Sequence, residues 1–110
     1  MKKAVSFKMT YNHFAISGHA LSFYALVQPI MYEADILKAV ARETWKRVKQ
    51  REIQTMDEPE KYRRMKVTEP EALILRKSLL AYWEANEIRL SPYEIHLLSE
   101  LVQQVDKSLV

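Results

Sequence analysis

The sequence predicts a mainly α (α+β) fold: an N-terminal β-hairpin or short strand unit, followed by three helices. Three observations predict it. The chain has one glycine and four prolines in 110 residues, which permits few tight turns and favours long helices over a many-stranded sheet. Two stretches, Thr68-Glu69-Pro70-Glu71 and Ser91-Pro92-Tyr93-Glu94, have the spacing of a helix capping box, each with proline in the first turn. Residues 3–11 alternate in the period of a strand.

The chain length suits a single domain over 1–110. An apolar content of 48% against 28% charged residues is ordinary for a chain that buries a core. In the strand unit, 1–28, Val5, Phe7, Met9 and Tyr11 point one way, with Ala4, Ser6, Lys8 and Thr10 opposite. Gly18 is the only glycine, and Ser17-Gly18 is a turn signal, so the reading is a hairpin with strands near 3–16 and 20–28. A helix from about 19 onward, kinked at Pro29, is the rival reading. The hairpin register sets Phe14 against Leu21, Tyr11 against Tyr24 and Met9 against Leu26. Phe14, Ile16, Leu21 and Phe23 then share one face, and the other face is also apolar. One layer of helices covers only one face. The second needs a bulge, a wrapping helix or another chain, which makes those four residues candidates for a protein interface and the chain a candidate homo-oligomer.

Residues 30–53 read as a basic amphipathic helix. Ile30, Ala34, Leu37, Ala41, Trp45 and Val48 form its buried stripe, and Lys38, Arg42, Lys46 and Lys49 line one flank. Residues 54–67 read as a charged connection, basic in its second half through Lys61, Arg63, Arg64 and Lys66. Residues 68–85 follow as the central helix, with Leu73, Leu75, Leu79, Leu80, Tyr82 and Trp83 on its apolar arc. Arg76 lies inside that arc and needs a partner or a route to water. Residues 91–109 are the clearest amphipathic helix, burying Ile95, Leu97, Leu98, Leu101, Val102, Val105 and Leu109.

The composition also narrows function. Without cysteine there are no disulfides, thiolate nucleophiles or common zinc knuckles, which fits a reducing, cytoplasmic setting. No Asp, Glu, Lys or Arg occurs from Met9 to Tyr32, yet His13, His19, Gln28 and Pro29 make that window too polar for a bilayer span and too interrupted for a signal peptide. The histidines His13, His19 and His96 do not converge in the predicted fold, and neither a G-x-S-x-G elbow nor a glycine-rich phosphate loop is present. No catalytic residue, metal site or cofactor is expected.

Two binding readings remain. The first is a small non-catalytic interaction or regulatory protein, from a phage or mobile element, that acts through the apolar N-terminal surface on a protein partner or on itself. The second is a nucleic-acid-binding module using the basic 38–66 region, with Lys38, Arg42, Lys46, Lys49, Arg63 and Arg64 as candidates. The last two helices are not a DNA-reading pair, because residues 67–110 hold four Lys/Arg against seven Asp/Glu and would repel phosphates.

Overall fold

The computed structural model describes residues 4–26 and 34–109. Strand β1 (Ala4–Met9) leads into helix α1 (Tyr11–Leu26), and α2 (Ala34–Gln54) follows. A connection then reaches strand β2 (Arg63–Thr68), which runs directly into α3 (Glu69–Asn86); α4 (Pro92–Leu109) completes the order. The fold is mainly α with a small antiparallel strand unit.

The partner of the N-terminal strand differs from the expected one. β1 pairs not with residues 20–28 but with β2, from Ala4 opposite Thr68 to Met9 opposite Arg63. Its alternation holds: Val5, Phe7 and Met9 are buried while Ala4, Ser6 and Lys8 are exposed. β2 repeats the pattern, burying Met65 and Val67 and exposing Arg64 and Lys66. The stretch 63–67, expected to belong to a charged connection, is therefore a strand whose inward positions are the apolar ones.

The expected hairpin at Ser17-Gly18 is a helix. Residues 11–26 are apolar but rich in small side chains, and the run is longer than a typical strand. Ala15, Ala20 and Ala25 favour helix, and one β-branched residue, Ile16, is too little to oppose it. The buried set spans His13, Phe14, Ile16, Ser17, Gly18, Ala20 and Leu21, about 200° of the helix at roughly 100° per residue. So broad a buried face explains the missing charges. Gly18 has helical backbone rather than a turn, and a Cβ there would meet Lys49 Cδ at 3.2 Å and Val48 Cγ1 at 3.9 Å. α2 side chains therefore pack directly on the α1 backbone at this position.

The later helices lie close to their expected bounds. Thr68 and Glu71 form the complete capping box, with Thr68 N–H donating to Glu71 Oε1 at 2.8 Å and Glu71 N–H to Thr68 Oγ1 at 3.3 Å. Ser91 and Glu94 do the same at 3.0 and 3.2 Å. α3 takes the central place read from its sequence and shares it with α1; each touches all the other helices. Phe14–Arg51 and Gly18–Val48 contacts set α2 antiparallel to α1. The Arg76–Asp106 pair at 2.6 Å, and Glu94 close enough to act on Tyr82, set α4 antiparallel to α3. That pair is also the partner that Arg76 required.

Leu97, Leu98, Leu101 and Val105 supply α4's share of the core, with Ile95, Val102 and Leu109 partly buried. Leu75 and Leu79 are buried on α3, but Leu73 and Leu80 are exposed; Ala72, Ile74 and Ser78 take the inward positions instead. On α2, Ala41 and Val48 are buried while Leu37 and Trp45 pack partly against the core, as does Trp83 on α3. The expectations for Pro29 and Ile30 lie outside the described residues.

Two substitutions in α1 test this packing by thermal or denaturant unfolding. Ser17 Oγ is buried without a hydrogen-bond partner, so Ser17→Ala is expected to stabilise the chain by about 1 kcal/mol. Gly18→Ala gains helix propensity and shifts only the flexible Lys49 stem, so its net effect stays within about 1 kcal/mol. Gly18→Leu must separate α1 from α2 and is expected to cost roughly 2–3 kcal/mol.

Candidate nucleic-acid interface

A two-stranded sheet leaves the outer edge of each strand unpaired, and side chains of this chain cap part of each. On β1, Lys8 N–H donates to Gln104 Oε1 at 2.9 Å and Gln104 Nε2 donates to Lys8 C=O at 3.0 Å. The Gln104 amide thus stands in for a third strand. On β2, Arg51 Nη2 donates to Arg64 C=O at 2.7 Å and Arg47 Nη2 to Lys66 C=O at 2.6 Å. Arg47 also donates through Nη1 to both oxygens of Glu71, at 2.6 and 2.7 Å. Burial raises the Glu71 carboxyl, but Arg47 and the Thr68 N–H outweigh it and hold the group below its ordinary value.

This edge-closing geometry makes a cleft of about 230 Å³ between α2 and β2, lined by Arg47, Gln50, Arg51, Arg64, Met65 and Lys66. Four of those six side chains are cationic. Arg51 also has a buried Nε without a hydrogen-bond partner, and its guanidinium lies 5.9 Å from the Phe14 ring centroid. Beside the cleft, the outward face of the sheet carries Lys8 directly opposite Arg64, with Lys66 opposite Ser6. The backbone bonds of Lys8 and Arg64 go to Gln104 and Arg51, so they occupy a non-hydrogen-bonded site, where facing Cβ atoms approach to about 4.5–5.5 Å. Like charges facing each other there are unfavourable. Among the described residues, none of Lys8, Arg64 and Lys66 forms an ion pair through its side chain.

The six nucleic-acid candidates from the sequence are thereby split. Arg64 lines the cleft. Lys38 is buried at 8% exposure, which removes it from a solvated flank. Arg42 and Lys46 are exposed on a different face of α2, and Lys46 pairs with Glu43 at 3.3 Å. Lys49 pairs with Glu52 at 2.9 Å, and Arg63 lies 3.6 Å from Asp57. Arg47 and Arg51, one helical turn apart, were not among the candidates; Lys66, read as part of the basic connection, lines the cleft with Arg64. The signal that puts Arg64 and Lys66 on one face is the alternation in Arg64-Met65-Lys66-Val67, legible once the segment is a strand.

Three of the four protein-interface candidates lie in the chain's own core. Phe14 and Leu21 are fully buried and Ile16 is 4% exposed, all covered by the chain's own helices. Phe23 is half-buried, edge-on to Tyr82 with ring centroids 5.9 Å apart. Once 11–26 is a helix, these residues no longer form a second apolar sheet face that needs another chain.

A second polar cluster lies at the start of α1. Thr10 precedes the helix as its cap, and His13 occupies the position where a capping box has Glu or Gln. Thr10 N–H donates to His13 Nδ1 at 3.0 Å, with Thr10 Oγ1 2.8 Å from the same nitrogen. That places the imidazole proton on Nε2, which donates to Glu100 Oε1 at 3.3 Å. His96 Nε2 approaches the same oxygen at 3.2 Å, while His19 is exposed. Among the described residues, no group of three or more His, Asp or Glu is arranged to hold a metal ion. Likewise, no described helix is long and apolar enough to cross a membrane. Compared with protein-family models, curated proteins and solved structures, the chain matches none.

Burial pushes the His13 imidazole below its ordinary value of 6.5, with Glu100 opposing the shift and His96 adding to it. Protonation at Nδ1 also removes the acceptor for Thr10 N–H. A histidine held neutral in the fold contributes stability above its unfolded value, and that stability is lost as pH falls through the folded value. Melting temperature is therefore expected to drop between about pH 7 and about pH 5. His13→Gln, which keeps the capping acceptor without a titrating ring, should flatten that part of the profile. An unchanged slope in the variant would exclude His13 as its source.

Proposed function

We propose that this is a non-catalytic nucleic-acid-binding module that uses the α2–β2 cleft and the adjoining outer sheet face to hold a phosphate backbone. The observation that carries this reading is the set of unpaired cations Lys8, Arg64 and Lys66. Two of them face each other across the strands, with the anchored guanidinium groups of Arg47 and Arg51 beside them. A polyanion relieves that repulsion, and its binding releases condensed counterions, which is favourable in entropy. The acidic balance of residues 67–110 opposes phosphate elsewhere and so orients the ligand toward the basic side.

The lining contains no aromatic ring on which a base could stack. Contacts made only by cations and backbone-bound arginines position a nucleic acid without reading its sequence. The expected behaviour is low-salt binding with little sequence preference, and an affinity that falls steeply as salt is raised.

The test is fluorescence anisotropy with a labelled duplex and a labelled single strand over a salt series. Lys8→Glu, Arg64→Glu and Lys66→Glu, all at exposed positions, should each weaken binding and together abolish it. Each lost phosphate contact should reduce the log–log salt slope by about 1. Arg42→Glu, on the other face of α2, should change binding less than Arg64→Glu. No binding by the unsubstituted chain at low salt, or binding unaffected by the three reversals, would remove this reading.

A further inference from the structure

We infer that a second site, formed by α4, the start of α1 and Tyr62, takes an extended peptide from a partner and seats one arginine or lysine side chain of it. The seat is a cleft of about 290 Å³ whose walls include Tyr62, Tyr93, Asn12, His13, Glu60 and Glu100. Both tyrosines are more than half exposed, at 58% and 54%, although Tyr62 lies against the His13 ring at 6.0 Å and Tyr93 Oη accepts from Asn12 Nδ2 at 2.9 Å. They are held in place yet open to solvent, which suits a wall rather than a core.

The unused groups in this cleft are mostly acceptors. Both imidazoles address Glu100 Oε1, which leaves Oε2 without a hydrogen-bond partner among the described residues. Glu60 is exposed and forms no ion pair among them. Asn12 spends its amide N–H on Tyr93 and keeps its carbonyl oxygen. Carboxylate oxygens between aromatic walls complement a cation: the charge meets the carboxylates while the flat head lies against a ring. The seat itself disfavours an anion and is lined by none of the cations of the arginine-lined cleft, although the groove that continues it reaches Lys8.

The occupant is a peptide rather than a free amine because the cleft is not closed. Tyr62 and Glu100 are shared with a neighbouring cleft that adds Lys8, Gln103, Gln104 and Lys107. Asn12, Tyr93 and Leu97 are shared with another on the opposite side, toward His19 and Glu94. The three join into one groove along α4 from Tyr93 to Lys107, about 21 Å at 1.5 Å per residue. That length matches about six residues of extended chain. Gln104 is spent on the Lys8 backbone, but the carbonyl oxygens of Asn12 and Gln103 have no partner among the described residues and can accept from a peptide backbone.

The experiment is an NMR titration of the full chain with tyrosine-ring and histidine labels. The probe is a capped peptide of Gly and Ser around one central arginine, compared with the same peptide carrying citrulline, which keeps the shape and removes the charge. Tyr62, Tyr93 and His96 signals should shift and saturate with the arginine peptide, and affinity for the citrulline peptide should be about tenfold weaker or less measurable still. Glu100→Gln should abolish the difference between the two peptides. Because that change also touches His13, Glu60→Gln and Tyr62→Leu, both at exposed positions, should each weaken arginine-peptide binding in a chain with unaltered melting temperature. Equal response to the two peptides, or none, overturns the inference. So do shifts that follow protein concentration alone, which would place a second copy of the chain in the groove.

Discussion

A sheet of two strands is all edge, and closing those edges organises this molecule. β1 and β2 come from opposite ends of the first two-thirds of the chain and pair across more than fifty intervening residues. Their outward N–H and C=O groups need partners that two strands alone cannot supply. Gln104 answers for β1 and so fixes the height of α4 against the sheet. Arg47 and Arg51 answer for two carbonyls of β2 and so fix the rotation of α2 about its axis. Arg47 carries the arrangement one step further: through Glu71 it reaches the capping box of α3, so one guanidinium ties α2, β2 and the start of α3 together. α1 then fills the space these elements leave, and Gly18 lets α2 approach it closely.

This dependence explains which parts of the fold were legible in the sequence. Capping boxes are local. Thr68–Glu71 and Ser91–Glu94 announce helix starts within four residues, and both helices lie where those signals put them. The strand Ala4–Met9 is equally local, because alternation shows in the residues themselves. Its partner is not local: nothing near residue 5 states that Val67 will lie beside it. The same difficulty hid α1. Its buried face is so broad that apolar positions satisfy both the strand period and the helix period, and the lone glycine then favoured a turn. The discriminating signal was Thr10 with His13 three residues on, a capping pair written with histidine where Glu or Gln is usual.

The candidate interface was half legible for a related reason. The basic character of residues 38–66 is plain from composition, but composition does not say which cations share a surface. Four lysines and arginines at three- and four-residue spacing mark one flank of a helix correctly. Yet burial removes Lys38 from it, and Glu43 and Glu52 neutralise Lys46 and Lys49. The cations that gather around a cleft are those of a different flank, Arg47 and Arg51, with those of a strand read as a loop. A carboxylate three residues away in sequence is visible beforehand; a carbonyl edge supplied by a strand elsewhere in the chain is not.

In the proposed site, the cations in the cleft and those beside it on the sheet face have different physical roles. Arg47 and Arg51 have already surrendered part of their side-chain entropy to backbone carbonyls and, for Arg47, to Glu71. They present charge from fixed positions, at no further ordering cost when a phosphate arrives. Lys8, Arg64 and Lys66 extend from the sheet without ion pairs and gain most from an anion, since their mutual repulsion is relieved by it. Under the proposed function the first pair is the rigid floor and the second group the source of differential affinity. Replacing Arg47 or Arg51 therefore perturbs β2 and α3 as well as any ligand, and a loss of binding in such a variant says little about phosphate contact. The sheet-face cations separate the two effects, because their side chains bear charge without holding any other part of the fold in place.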